Sequence, residues 1–306
     1  MNTLQTQLNH YLEYCTHQKR LDSKTLKAYR IDLTQFITFF SSSDDQTISP
    51  NHLEVYISSL HQSFKPKTAK RKIASLKAFF HYLEYKEIIE HNPFSKIQIK
   101  FREPTLLPKT IPLYTVESLL STMYKQYAIA PTEYRKKTCL RDIAVIELLF
   151  STGIRISELC SLKANDIDLF EETILIYGKG SKERRLQICN NSVIQILSEY
   201  HSYYIDQITA CNHFFVNPCG TPLSDQSVRR MLKKNTSLAS INMHITPHMF
   251  RHTFATSLLD ADVDIRYIQE MLGHSSINVT EIYTHVTLSK QRDILTTKHP
   301  RKDFHI

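Results

Sequence analysis

Glycine is the residue this chain nearly does without. Five occur in 306 residues, at positions 153, 178, 180, 220 and 273, and none precedes Gly153. Turns that need positive φ lean on glycine, so a glycine-free first half is expected to be helices joined by turns of ordinary geometry. The five glycines should then mark places where backbone geometry is special. With 42% hydrophobic and 22% charged residues the chain should fold rather than stay disordered. Its length suits two domains rather than one core.

Residues 1–93 read as a small helical unit. Leu4, Leu8, Tyr11 and Leu12 recur with helical spacing. Asp22-Ser23-Lys24-Thr25 has the form of a helix start, followed by Leu26, Tyr29, Leu33, Phe36 and Phe40. A third helix is expected over 50–62, entered at Ser49-Pro50, and a fourth from Pro66 to Tyr85. On the fourth, Ile73, Leu76, Phe80 and Leu83 form one stripe, while Lys67, Lys70, Arg71 and Lys77 fall on another face. That basic face is either solvated or lies along a phosphate backbone. His91-Asn92-Pro93 should end the unit.

Residues 94–114 read as a linker, because Pro104, Pro108 and Pro112 recur among basic and polar residues. Residues 115–306 should form a second domain. Helices are expected over 115–127 and 138–152, with Ala130–Lys137 as an exposed basic loop. Thr173–Tyr177 and Arg184–Ile188 read as strands flanking a Gly178-Lys179-Gly180-Ser181 turn, and Phe214-Phe215-Val216 as a third strand. The expected fold is mainly α with a small antiparallel β-sheet.

The formal net charge of +8 favours a polyanionic partner. The six cysteines show no C-x-x-C spacing, so reduced thiols are expected rather than a zinc site. No apolar run is long enough to span a bilayer, and the first residues lack the pattern of a signal peptide. A soluble cytoplasmic protein is expected.

Four segments bear on chemistry. In Ser151-Thr152-Gly153-Ile154-Arg155, Gly153 should break a helix and Arg155 should stand at the start of the next, where a guanidinium and helix-terminal N–H groups suit an anion. In Gly178-Lys179-Gly180-Ser181-Lys182-Glu183-Arg184 the spacing of a phosphate loop is absent, so nucleotide binding is not expected. A charged turn is the plain reading, and a lysine reaching into a groove the functional one. In Thr246-Pro247-His248-Met249-Phe250-Arg251-His252, Thr246 can cap a helix that carries His248 and Arg251 on one face. His248 and His252 have metal-ligand spacing, but no third carboxylate ligand is near in sequence and Arg251 would repel a cation. The fourth segment is Leu272-Gly273-His274-Ser275-Ser276, with Tyr283 nine residues after His274.

The order Arg155, Lys179, His248-x-x-Arg251, His274, Tyr283 resembles the tyrosine recombinase (phage integrase) family. The strings T-G-I-R-I-S-E-L, G-K-G-S-K-E-R, H-M-F-R-H-T-F-A-T, L-G-H-S-S and I-Y-T-H carry the likeness, which is greatest to Xer-type site-specific recombinases. It covers essentially the whole chain. It implies a helical, SAM-like core-binding domain over 1–93 and an α+β catalytic domain over 115–306, whose C-terminal tail contacts a neighbouring protomer.

The resemblance implies DNA strand transesterification with no metal and no cofactor. Tyr283 would be the nucleophile, Arg155 and Arg251 would hold the phosphate, and Lys179 would protonate the leaving oxygen. His248 would take the tyrosine proton, and His274 would hydrogen-bond the phosphate. Double-stranded DNA would be the partner, contacted by Lys67, Lys70, Arg71 and Lys77, and a homo- or hetero-oligomer would act on it, up to a tetramer on synapsed DNA. Integration or excision of a mobile element and chromosome-dimer resolution both fit. Relaxation in the manner of type IB topoisomerases, and a non-catalytic DNA-binding regulator, are the alternatives.

Overall fold

A computed structural model describes residues 2–41, 48–97, 99, 109–178, 183–273 and 288–304. The chain divides into two compact units, Met1–Leu106 and Leu107–Ile306. It is mostly helical, with one small three-stranded antiparallel sheet. No described helix is long and apolar enough to cross a membrane.

The first unit holds four helices: α1 (Asn2–His17), α2 (Ser23–Phe40), α3 (Pro50–Ser63) and α4 (Pro66–Tyr85). Their starts follow from capping chemistry. The Asp22 carboxylate accepts the Thr25 N–H at 3.0 Å, and Ser49 with His52 forms a reciprocal cap before Pro50. Leu8, Tyr11, Phe36, Leu53, Ile73, Leu76, Phe80 and Leu83 meet in one core. Phe94 joins that core, in a short turn of helix at Pro93–Lys96, so the unit runs past the boundary expected at residue 93.

One ionic cluster is buried within this core. The Asp32 carboxylate, fully buried, accepts from Lys72 Nζ and from the Ser75 hydroxyl, each at 3.0 Å, and from Arg71. Burying that carboxylate would be costly without these donors.

The second unit is built around α6 (Glu133–Thr152), whose residues from Leu140 to Thr152 are buried on every side. A helix buried all round has no polar stripe. Packed against it are α5 (Leu113–Ala128), α8 (Asn191–Cys211) and α10 (Pro247–Asp260). The expected basic loop over 130–137 is largely the first turns of α6. Thr132 Oγ1 accepts the Arg135 N–H at 3.2 Å and starts the helix at Glu133, five residues before the start expected at residue 138.

After α6 come α7 (Ile156–Ser161), β1 (Ile167–Asp168), β2 (Thr173–Tyr177) and β3 (Glu183–Gln187), with sheet order β1-β2-β3. Tyr177 pairs with Glu183 at the end of the β2–β3 hairpin nearer the connection between the strands, and Ile174 with Leu186 near its base. The strand expected at Phe214–Val216 is not part of this sheet. The Tyr200 hydroxyl donates to the Phe214 carbonyl at 2.9 Å and accepts the Val216 N–H at 3.0 Å. The Phe214 N–H goes to the Leu162 carbonyl. With those groups taken, only a single bridge from Val216 to Pro222 forms.

The remaining helices are α9 (Asp225–Leu238), α11 (Ile265–Leu272) and α12 (Leu288–Lys298). The segment after α12 is anchored on its own unit. Arg301 forks onto Glu147 at 2.9 and 2.8 Å, with both side chains buried. His299 Nδ1 accepts the Arg301 N–H, so Nε2 carries the proton and donates to the Phe150 carbonyl at 2.9 Å. Burial pushes the His299 imidazole down to about 4.

Candidate active site

Two helix C-termini define the site. Gly153 ends α6 and Gly273 ends α11, both in the left-handed region at φ +63° and +64°. Neither position accepts a side chain. A Cβ on Gly153 would lie 2.7 Å from the Phe254 ring, and one on Gly273 would lie 2.9 Å from Arg184 Nη1. The carbonyls at such ends lack helical partners and concentrate negative charge, which suits cationic donors.

Arginines fill that role. Arg251, buried on α10, donates from Nη1 to the Gly153 carbonyl at 3.0 Å and from Nη2 to the Leu272 carbonyl at 2.6 Å. One guanidinium thus ties the end of α6 to the end of α11. Arg155, just before α7, reaches the Gly273 carbonyl at 3.3 Å. Burial, then the nearby charges of Arg155 and Arg184, hold the Arg251 guanidinium down to about 10. It therefore remains charged at neutral pH.

Glu158 knits the cluster together. Its Oε1 accepts from Arg155 Nη1 at 2.7 Å and from Arg184 Nη1 at 3.1 Å. Its Oε2 accepts from the Arg155 N–H and from Arg184 Nη2, both at 2.8 Å. Burial pushes this carboxyl up, but the hydrogen bonds from Arg184 and Arg155 outweigh it and keep it ionised below the usual range. The backbone N–H at Arg155 is consumed by Glu158. That N–H is therefore not open to an anion, whereas the Arg155 guanidinium is one third exposed.

His248 is exposed in the first turn of α10. Its imidazole is held below its ordinary value by partial burial, and by the charges of Arg229, His252, Arg251 and Arg155. A neutral imidazole can accept a proton, whereas those same cations oppose a metal ion. Thr246 stands at the cap position but its side chain makes no capping hydrogen bond, contrary to the sequence expectation. Lys179, His274 and Tyr283 lie outside the described residues.

Glu158, Arg184 and Arg229 were not singled out from the sequence. Arg229 belongs to α9, where Arg229, Arg230, Lys233 and Lys234 are exposed opposite the buried Val228, Met231 and Leu232. The i, i+4 spacing of those four cations was the signal available. In the first unit, Lys67, Lys70 and Lys77 are exposed on α4, as expected. Lys77 Nζ lies 5.9 Å from the Phe94 ring centre. Arg71 is committed to Asp32, so half of that expected basic face serves the fold as well.

Comparison with known proteins agrees with this layout. Residues 115–290 match the phage integrase family, and residues 8–87 match the phage integrase N-terminal SAM-like domain. A tyrosine recombinase of Agathobacter rectalis is 67% identical over the full length of both chains. Tyrosine recombinase XerC of Oceanobacillus iheyensis is 33% identical over 98% of each. The fold is similar to the XerH site-specific recombinase bound to palindromic difH substrate, with TM-score 0.70, 23% identity, and coverage of 97% of this chain and 82% of that one. The two matched regions, and identity running end to end with named recombinases, place this chain in the phage integrase family as a tyrosine recombinase of Xer type.

Proposed function

We propose that this recombinase cuts and rejoins double-stranded DNA through a covalent 3′-phosphotyrosyl intermediate on Tyr283. The observation that supports this most is the convergence of Arg155 and Arg251, with His248, at the paired ends of α6 and α11. Two fixed guanidiniums suit the charge that builds on the non-bridging oxygens as a phosphodiester is attacked. Their positions are set by helix-end carbonyls and by Glu158, so little reorganisation is needed when the phosphate arrives.

The Tyr283 oxygen attacks phosphorus and the bond to the 5′-oxygen breaks. His248, neutral near pH 7, takes the phenolic proton, and Lys179 delivers one to the leaving 5′-oxygen. His274 hydrogen-bonds the phosphate. The phosphoryl group stays on the 3′ end of the cut strand as a tyrosyl ester. A 5′-hydroxyl from another strand reverses the step, so the bond energy is kept and no nucleotide is spent. Exchange between two duplexes needs four strand cuts, one tyrosine to each, which gives four protomers around the synapsed DNA.

Lys67, Lys70 and Lys77 on α4, and the basic face of α9 beside His248, are placed to meet phosphates and set register. Arg71 joins them to the extent that Asp32 leaves its guanidinium exposed. Family membership favours strand exchange over simple relaxation or a regulator without catalysis. A nicked suicide duplex carrying the selected binding site tests the chemistry. The chain should become covalently attached to the 3′ end of the cut strand, releasing a fragment with a free 5′-hydroxyl. A released 5′-phosphate would contradict the mechanism.

A further inference from the structure

Arg184 is the one side chain in the arginine cluster that the proposed chemistry leaves without a task. It stands second in β3, directly after the hairpin pair Tyr177–Glu183. Its side chain is largely buried, at 12% exposure, so it is not a solvated charge. All of its donors point inward. Nη1 and Nη2 fork onto the two oxygens of Glu158, and Nε donates to the Met271 carbonyl at 2.9 Å, near the end of α11. It also fills the space beside Gly273 that a Cβ would take.

We propose that Arg184 is a positioning residue for Arg155, acting through the carboxylate they share. Each Glu158 oxygen receives one bond from Arg155 and one from Arg184. A carboxylate held on both oxygens by a rigid fork cannot rotate, and so it presents a fixed seat to the Arg155 guanidinium. The same fork settles the charge. Arg155 and Glu158 alone would form a neutral pair, and the carboxylate would compete with a phosphate for the guanidinium. With Arg184 the three groups carry one net positive charge, and Arg155 keeps attraction to spare for an incoming anion. The bond to Met271 fixes this assembly to α11, the helix whose end Arg251 also holds.

This inference rests on the reading of Arg155 as a ligand of the scissile phosphate, and the test separates the two. The full chain is given a nicked duplex, selected from a random-sequence pool by binding, whose scissile phosphate is either native or a methylphosphonate. A methylphosphonate has lost one charged oxygen, so its cleavage asks less of a phosphate-holding arginine. Arg184→Ala should cleave the native duplex about 100-fold more slowly than the unaltered chain, while binding it almost as well. On the methylphosphonate that gap should close to within about threefold, and Arg155→Ala should show the same closing. Arg184→Lys, which keeps the charge but not the fork, should fall between and carries the comparison if the alanine variant does not fold. Equal slowing on both substrates would reduce Arg184 to a structural brace, and no slowing on the native duplex would remove its role altogether. Failure of the unaltered chain to form any adduct would instead overturn the reading of the site itself.

Discussion

At the scale of residues, the site works by setting cations against carbonyls and one carboxylate. Arg251 remains charged at neutral pH although burial lowers it to about 10, and two helix-end carbonyls accept its hydrogen bonds. His248 stays neutral because it is partly buried and ringed by arginines, with Arg229 the largest charge influence on it. That gives a signed prediction. If His248 accepts the tyrosine proton, cleavage fails only once the imidazole is protonated, and its lowered pKa places that acid limb below the ordinary histidine value of about 6.5. Arg229→Ala relieves part of the depression, so the limb should move to higher pH. Cleavage rates measured from pH 5 to 8 check this, and a limb that stays put would detach Arg229 from His248. Arg155, Arg251 and His248 were legible in the sequence because their motifs are local. Glu158 sat inside one of those motifs unread, since its role depends on Arg184, which lies 26 residues away.

At the scale of elements, helix starts are legible where a capping side chain directly precedes an apolar helical pattern, as at Asp22 and Ser49. The apolar pattern does not announce the start of α6, because Glu133, Arg135, Lys136 and Lys137 are charged and the buried run begins only at Leu140. The strand expected at Phe214–Val216 is absent from the sheet for a reason no local pattern carries, namely that the Tyr200 hydroxyl takes the Phe214 carbonyl and the Val216 N–H. The C-terminal tail is expected to contact a neighbouring protomer, and its last turn is held on α6 through Arg301, Glu147 and His299. Removing one partner of a buried pair leaves the other uncompensated. Arg301→Ala should therefore lower unfolding stability by about 3–5 kcal/mol in urea denaturation. A loss under about 1 kcal/mol, the worth of an exposed pair, would mean that the segment is not docked in solution. If the segment is docked, the tail's reach to another protomer has to come from the part ahead of His299.

At the scale of the whole molecule, exposed positive charge is found in both units, on α4 in the first and on α9 beside the arginine cluster in the second. Two cores, one around Phe36 and Phe80 and the other around α6, let each unit present its basic face independently. The glycine pattern marks the arginine cluster of the second unit. Gly153 and Gly273 cap the two helices whose ends the arginines bind. Everything in this account converges on one hydroxyl, that of Tyr283. The most direct measurement compares the chain with Tyr283→Phe on a nicked suicide duplex, resolving covalent adduct on a denaturing gel and duplex binding separately. The unaltered chain should form an adduct, Tyr283→Phe should form none, and its binding should be nearly unchanged. An adduct that persists in Tyr283→Phe would place the nucleophile on another residue.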